Sequence, residues 1–341
     1  MNAIRTAFSN IPEPGSVQAV TEGVLWLRMP LPFSLDHINL YLIDDGDGWI
    51  AIDCGIGGGA TRDVWRRVVA QELGGKPLKA LLVTHFHPDH LGAAGWLCGE
   101  YGLGLWITEP EYRTAADRMI GSAATDSDAT RAFYRTLGMS PEQIDSVHEM
   151  MGLMGAAYDP LPTVERVLAG EDRLTLGGRE WQVRVATGHS PAHAVLYSPD
   201  LELMISGDQV LPRISSNVGL YPDRPDEDPL GHWLESLERL NEWPDDTLVL
   251  PSHNEPFYGL HRRLQELQDD HAGKLEQLLE FCAGPATVME LVPRLYPREL
   301  GKMDLMLAAG ECLAHLEYLV RRDRLMRETD EQGLWRFCRL E

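Results

Sequence analysis

Thr84-His85-Phe86-His87-Pro88-Asp89-His90 crowds three histidines and an aspartate into one loop, directly after the apolar run Ala80-Leu81-Leu82-Val83. An apolar run of that length, without alternation, predicts a short strand buried on both faces, as in a parallel sheet covered by helices. Imidazole nitrogen and carboxylate oxygen together suit Zn, Fe or Mn ions. If protonated, the three rings would repel one another; around a cation they serve as neutral donors. The stretch therefore predicts a layered α/β fold with a metal centre at a strand end.

Upstream, Asn39-Leu-Tyr-Leu-Ile43 and Trp49-Ile-Ala-Ile-Asp53 are β-rich and flank the turn-forming Asp44-Asp-Gly-Asp-Gly48, which predicts a hairpin. Gly55 to Gly59 then leads into an amphipathic helix with Val64, Trp65, Val68 and Val69 on one side. Downstream, Leu105-Trp-Ile-Thr108, Trp181-Gln-Val-Arg-Val-Ala186, Leu201 to Ser206 and Thr247-Leu-Val-Leu250 read as further strands. The last three each run into a candidate ligand. These are His189 in Thr187-Gly-His-Ser-Pro191, Asp208 in Ser206-Gly-Asp208, and His253 in Pro251-Ser-His-Asn254. One loop cannot fill two coordination shells, and these residues would complete them. The neighbouring glycines allow the sharp turns that bring each ligand close.

Between about 110 and 165 the character changes. Ser140-Pro-Glu-Gln143 is a helix start, with serine as N-cap and proline in the first helical position. Met119, Met139, Met150, Met151 and Met154 gather here, which predicts a helical insertion with helix-packing methionines; a pliable lid over a substrate is the other reading. From about 259 a separate unit is expected. It has an amphipathic helix over Leu260 to Phe281, a capping box at Thr287-Val-Met-Glu290, a third helix over Asp304 to Arg322, and a hairpin over Arg324 to Leu340. Three helices and a hairpin suggest a winged-helix arrangement. With 12 bases against 15 acids, residues 259–341 do not favour DNA, so packing or oligomerisation is the expected role of this tail.

The bulk numbers narrow the classes. The 341 residues carry 52 acids against 30 bases, a formal charge of −22, which repels nucleic acid and anionic membranes and leaves a small molecule as the expected partner. At 44% hydrophobic and 24% charged the chain suits a soluble fold with a substantial core, and no apolar run is long enough to span a bilayer. Residues 1–16 lack the apolar core of a secretory signal. Five scattered cysteines without a CxxC pair read as reduced thiols, so a cytoplasmic location is expected.

Taken in order, Asp53-Cys-Gly55, Thr84 to His90, Gly188-His-Ser-Pro-Ala-His193, Gly207-Asp208 and Ser252-His253 resemble the metallo-β-lactamase superfamily over residues 39–258. Ala308-Ala-Gly-Glu311 and Ala314-His-Leu316 add a resemblance to the winged-helix domain appended to one branch of it. This implies a four-layer αββα domain over 1–258, interrupted by the helical insertion, and a winged-helix-like, mainly helical domain over 259–341. It implies that His85, His87 and His189 hold one metal, that Asp89, His90 and His253 hold a second, and that Asp208 bridges them. Zinc is the expected ion, with Fe or Mn as alternatives. Asp53 resembles the family's buried aspartate that orients the metal loop. His193 matches the second histidine of the glyoxalase-type Gly-His-x-x-x-His element, placed behind the ligands or facing substrate.

The implied reaction is hydrolysis of a small acyl substrate, a thioester or a lactone, by a hydroxide shared between the metals, with Asp89 orienting it and Asp208 holding the pair together. Aspartate at 208, together with His90, points away from true lactam hydrolases. The longer insertion and the lack of evident basic tail residues for glutathione depart from glyoxalase II. Alternatives within the same fold are an endoribonuclease or phosphodiesterase, and a mononuclear iron sulfur dioxygenase. Neither Ser190 nor Cys54 has the partners of a nucleophile. His37, His148, His232, His261, His271 and His315 fall outside the motifs and are expected to be structural, with His37 close enough to the motifs to face the site.

Overall fold

The computed structural model describes residues 3–32, 35–120 and 127–340. Two seven-stranded sheets lie face to face. The first runs Val17–Thr21, Val24–Pro30, His37–Asp44, Trp49–Ile52, Leu78–Leu82, Gly104–Thr108, Val164–Leu168, antiparallel up to Trp49–Ile52 and parallel thereafter. The second runs Arg5–Thr6, Phe257–Tyr258, Leu248–Pro251, Leu203–Gly207, His193–Ser198, Arg179–Ala186, Arg173–Leu176, with the Leu203–Gly207 and Leu248–Pro251 pair parallel.

The unalternating strand before the histidine loop shows why both of its faces are apolar. Leu81 points to the outer face, where Trp65 and Val68 of helix Gly59–Gln71 and Leu97 of helix Ala94–Tyr101 cover it. Leu82 points inward and joins Trp26, Tyr41 and Ile52 against Trp181, Leu196, Ile205 and Leu250 of the other sheet. The second sheet's outer face, with Val195, Met204 and Val249, is covered by Trp233 and Leu237 of helix Pro229–Leu240 and by Leu264 and Leu267 of helix Leu260–Phe281. The layers are therefore helix, sheet, sheet, helix. Full burial of side chains of this size is worth about 2 kcal/mol apiece.

The insertion is helical, over Glu109–Ile120, Asp128–Thr136 and Pro141–Gly155, and Ser140 forms the expected capping box with Gln143. The C-terminal region has helices Leu260–Phe281, Val288–Leu295 and Lys302–Val320 and the antiparallel strands Leu325–Thr329 and Trp335–Arg339, with the Thr287 and Glu290 capping box in place. Insertion and tail share one core, in which Tyr134, Leu137, Met139 and Val147 meet Leu278, Leu291, Leu313 and Phe337. Met139 is buried in this core and Met151 and Met154 pack against it, as expected of helix-packing methionines. All five cysteines are free thiols. Among the described residues no helix is long and apolar enough to cross a membrane.

Candidate metal centre

The sandwich opens at one edge, where the ends of four strands place the side chains that the sequence singled out. His85, His87 and Asp89 leave the end of Leu78–Leu82, and a single helical turn, Pro88–Leu91, turns His90 back under the loop. His189 follows Arg179–Ala186, Asp208 follows Leu203–Gly207 and His253 follows Leu248–Pro251. Two of the turns need glycine. Gly188 (φ 105) and Gly207 (φ 54) adopt left-handed backbone, and a Cβ at either would collide with Trp233 or with His193.

Donor atoms of His85, His87, His189 and Asp208 lie within 4.8 Å of one another, and those of Asp89, His90 and His253 do likewise. The aspartate at 208 faces both groups: its Oδ2 is 3.6 Å from His189 Nε2, and its Oδ1 is 3.5 Å from both His90 Nε2 and His253 Nε2. Asp89 Oδ2 is 3.3 Å from His253 Nε2. His90 Nε2 and Asp208 Oδ1 are buried without a hydrogen-bond partner. Such atoms are costly unless something satisfies them, and a divalent cation between them would. A third cluster, His271, Glu311 and His315, also has its donor atoms close together but differs in kind. There His271 Nδ1 bonds His315 Nε2 (2.8 Å), His271 Nε2 bonds Ser215 Oγ (2.9 Å), His315 Nδ1 donates to the Glu311 carbonyl (2.7 Å), and Lys274 neutralises the Glu311 carboxylate at 2.9 Å. Nothing in it awaits a cation.

The protonation equilibria fit a site that binds cations. Burial pushes His85 and His87 well below the usual histidine range, with neighbouring histidines adding to it, so both rings are neutral donors. Burial also disfavours charge on His90, but Asp53, Asp89 and Asp208 overcome it and raise its pKa. Burial likewise works against charge on Asp208 and Asp89, yet the surrounding histidines hold Asp208 well below the carboxylate range and Asp89 at about 2.

Several of the donors are held from behind. Asp53, almost completely buried, accepts from the Thr84 N–H at 2.7 Å and bonds His90 Nδ1 at 2.8 Å. His253 Nδ1 donates to the His37 carbonyl at 3.0 Å, so His37 serves the site through its backbone. His193 is fully buried beneath the ligands, its ring stacked on His85, and its Nε2 accepts from the Asp208 N–H at 3.1 Å. Ser190 Oγ donates to Glu111 at 2.6 Å, and the Cys54 thiol, its pKa pushed up by burial, points at the His90 carbonyl.

Two supporting residues escaped the sequence reading. Glu111, fully buried in the first turn of an inserted helix, accepts from the Phe86 N–H (2.9 Å), Ser190 Oγ and the Ala192 N–H (both 2.6 Å), tying the loop at 85–90 to the loop at 187–193. Nothing in sequence sets it apart from nearby Glu109. Asn217 accepts from His189 Nδ1 at 2.8 Å through its carbonyl, a role no sequence signal marks. Arg118 stacks 4.6 Å above the Phe86 ring, pairs with Asp223 at 3.3 Å, and is close enough to His87 for its charge to bear on that ring.

A family model described as "Metallo-beta-lactamase superfamily" matches residues 34–253, and one described as "Metallo-beta-lactamase-like, C-terminal domain" matches residues 275–340. "Probable metallo-hydrolase YqjP" of Bacillus subtilis is 26% identical, over 88% of this chain and 92% of its own. A hydroxyacylglutathione hydrolase of Chromohalobacter salexigens is 26% identical, over 76% of this chain and 81% of its own. Among solved structures, a beta-lactamase domain protein from Burkholderia ambifaria superposes with a TM-score of 0.91 at 38% identity, covering 99% of this chain and 98% of that one. A metallo-beta-lactamase family protein of Thermus thermophilus superposes with a TM-score of 0.81 at 28% identity, covering 94% of this chain and all of that one.

Proposed function

The chain belongs to the metallo-beta-lactamase superfamily and is a metal-dependent hydrolase, and on that premise we propose that it hydrolyses a small acyl substrate, a thioester or a lactone, at a dinuclear centre. The observation that carries this reading is Asp208, whose two carboxylate oxygens face two separate donor groups. In it, His85, His87 and His189 would hold one ion and Asp89, His90 and His253 the other, with the Asp208 carboxylate facing both groups. Zinc suits these nitrogen and oxygen donors. When bound, the ions supply Lewis acidity and a water acidic enough to act as a nucleophile at neutral pH.

The chain's own residues do the rest. Asp89, held ionised at about 2, accepts a hydrogen bond from the attacking water and orients it. Asp53 and His193 keep the donors in place. Arg118, set beside His87 by the insertion, pairs with negative charge on the substrate close to the scissile bond, which favours acyl substrates carrying a carboxylate or phosphate. We assign residues 1–258 to the catalytic domain and residues 259–341 to a winged-helix-like domain.

The test is a screen of thioesters, lactones, phosphodiesters and RNA on zinc-loaded protein. Turnover of an acyl substrate that chelation abolishes is expected. Cleavage of RNA or phosphodiester without acyl turnover would replace this reading by a nuclease, and one iron per chain with oxygen uptake would replace it by a dioxygenase.

A further inference from the structure

We propose that the C-terminal helices are a working part of the metal centre: they hold the loop after Asp208 in the shape that aims His189, with Asn217 as the positioning residue. The inference rests on the dinuclear reading above. Residues 208–228 form no helix or strand, yet they carry one donor at the start, Asp208, and the group that orients another, the Asn217 carbonyl. A segment that long without internal hydrogen-bond ladders takes its shape from whatever satisfies its polar groups.

Those groups are satisfied largely by the C-terminal helices. Arg263, buried in helix Leu260–Phe281, donates to the Leu211 carbonyl at 2.5 Å and to the Ile214 carbonyl at 2.9 Å. His271, two turns further along, meets Ser215 Oγ at 2.9 Å. Helix Lys302–Val320 takes over from there: Asn217 Nδ2 donates to the Leu307 carbonyl at 3.2 Å, and the Leu220 N–H donates to the Gly310 carbonyl at 3.0 Å. The approach is tight, since a Cβ on Gly310 would sit 2.6 Å from the Tyr221 ring, and the Tyr221 hydroxyl donates to Asn217 Oδ1 at 2.6 Å. Both ends of the Asn217 side chain are thus committed, one to the tail and one to its own loop.

The consequence is felt at two donors. The Asn217 carbonyl fixes the proton of His189 on Nδ1, which leaves Nε2 free to face Asp208 Oδ2 at 3.6 Å. Ser216 Oγ donates to the Asp208 carbonyl, so the adjacent residue steadies the bridging aspartate. The tail, expected from sequence to serve packing or assembly, makes hydrogen bonds along this loop from Leu211 to Asp228.

The experiment is a zinc titration of full-length protein against a chromophoric chelator, reading both affinities separately, for wild type, Asn217→Ala, Tyr221→Phe and Val292→Ala. Val292 lies in the tail's core, outside these contacts, and controls for general loss of stability. We expect Asn217→Ala to weaken one of the two zinc affinities about 10–100-fold and leave the other in place, the size usual for groups that orient metal ligands. Tyr221→Phe, which removes one hydroxyl without changing shape, should weaken the same affinity by a smaller factor and keeps the test open if Asn217→Ala does not fold. Val292→Ala should lower the melting temperature with both affinities unchanged. Wild-type affinities in Asn217→Ala and Tyr221→Phe overturn this inference alone. Wild-type protein that takes up no zinc overturns the dinuclear reading and this inference with it.

Discussion

Asp53 and His90 are joined by a 2.8 Å hydrogen bond from the ring Nδ1 to the carboxylate Oδ2, and both side chains are shut away from solvent. Asp53 is also held at φ 62, a left-handed backbone that aspartate adopts only at a cost of about 1 kcal/mol. The fold tolerates that because the same carboxylate accepts from the Thr84 N–H and its hydroxyl, fixing the start of the metal loop.

Asp53→Asn keeps the volume but puts an amide nitrogen against donors. We expect retention of the ion held by Asp89, His90 and His253 to fall about 10–100-fold, measured by metal content after dialysis against a graded chelator. Full retention would remove Asp53 from any role in orienting His90.

Asp208→Ala removes the carboxylate that faces both donor groups. Elemental analysis should fall from close to two ions per chain to one or fewer, and hydrolysis should drop to background. Wild-type turnover in this variant would rule out the assignment of the bridge.

Glu111 is a sharper case, because it touches no proposed metal ligand atom. Its Oε1 accepts from Ser190 and Ala192 and its Oε2 from Phe86, so glutamine can satisfy one side only and alanine neither. Loss of three buried acceptor contacts should cost about 3 kcal/mol of stability in Glu111→Ala, with Glu111→Gln in between, read by denaturant unfolding. Equal stability of all three proteins would mean that water replaces the carboxylate.

These cases show which parts of the site were legible in sequence. His85, His87, Asp89 and His90 announced themselves because metal-binding residue types are rare and here stand together after a buried strand. His189, Asp208 and His253 were readable because each ends an apolar run beside glycine or serine. Glu111 was not, since one acid in the first turn of a helix looks like any other until the fold closes over it. Asn217 was hidden for a different reason: it acts through a carbonyl, which every residue has, and only the path of the loop aims it. The same limit applied to the fold. Most strands buried on both faces stood out, but His193–Ser198, buried throughout, went unread behind the histidine motif it follows, and Val17–Thr21 and Arg173–Leu176, with polar residues on their solvent side, carried little apolar signal. Helical periodicity identified the insertion but not its partner, because a buried methionine does not reveal which core receives it.

His271, which meets Ser215 in the loop after Asp208, offers a test that is independent of metal. Burial, with His315 and Lys274 nearby, lowers its pKa from the usual histidine value of 6.5 to about 2. The ring is therefore neutral when folded, and the unfolded chain binds the extra proton. The sign follows from linkage: stability is full above about pH 6.5 and falls as pH drops from there toward the folded pKa, at about 1.4 kcal/mol per pH unit, or about 2 kcal/mol by pH 5. In His271→Gln that slope should flatten by close to one proton, because glutamine can still donate to His315 but does not titrate. Denaturant unfolding of both proteins between pH 5 and 7, with chelator present so that the ligand histidines titrate alike, measures the difference. Parallel curves would mean that His271 takes up its proton in the folded state, which its burial and the nearby His315 and Lys274 oppose.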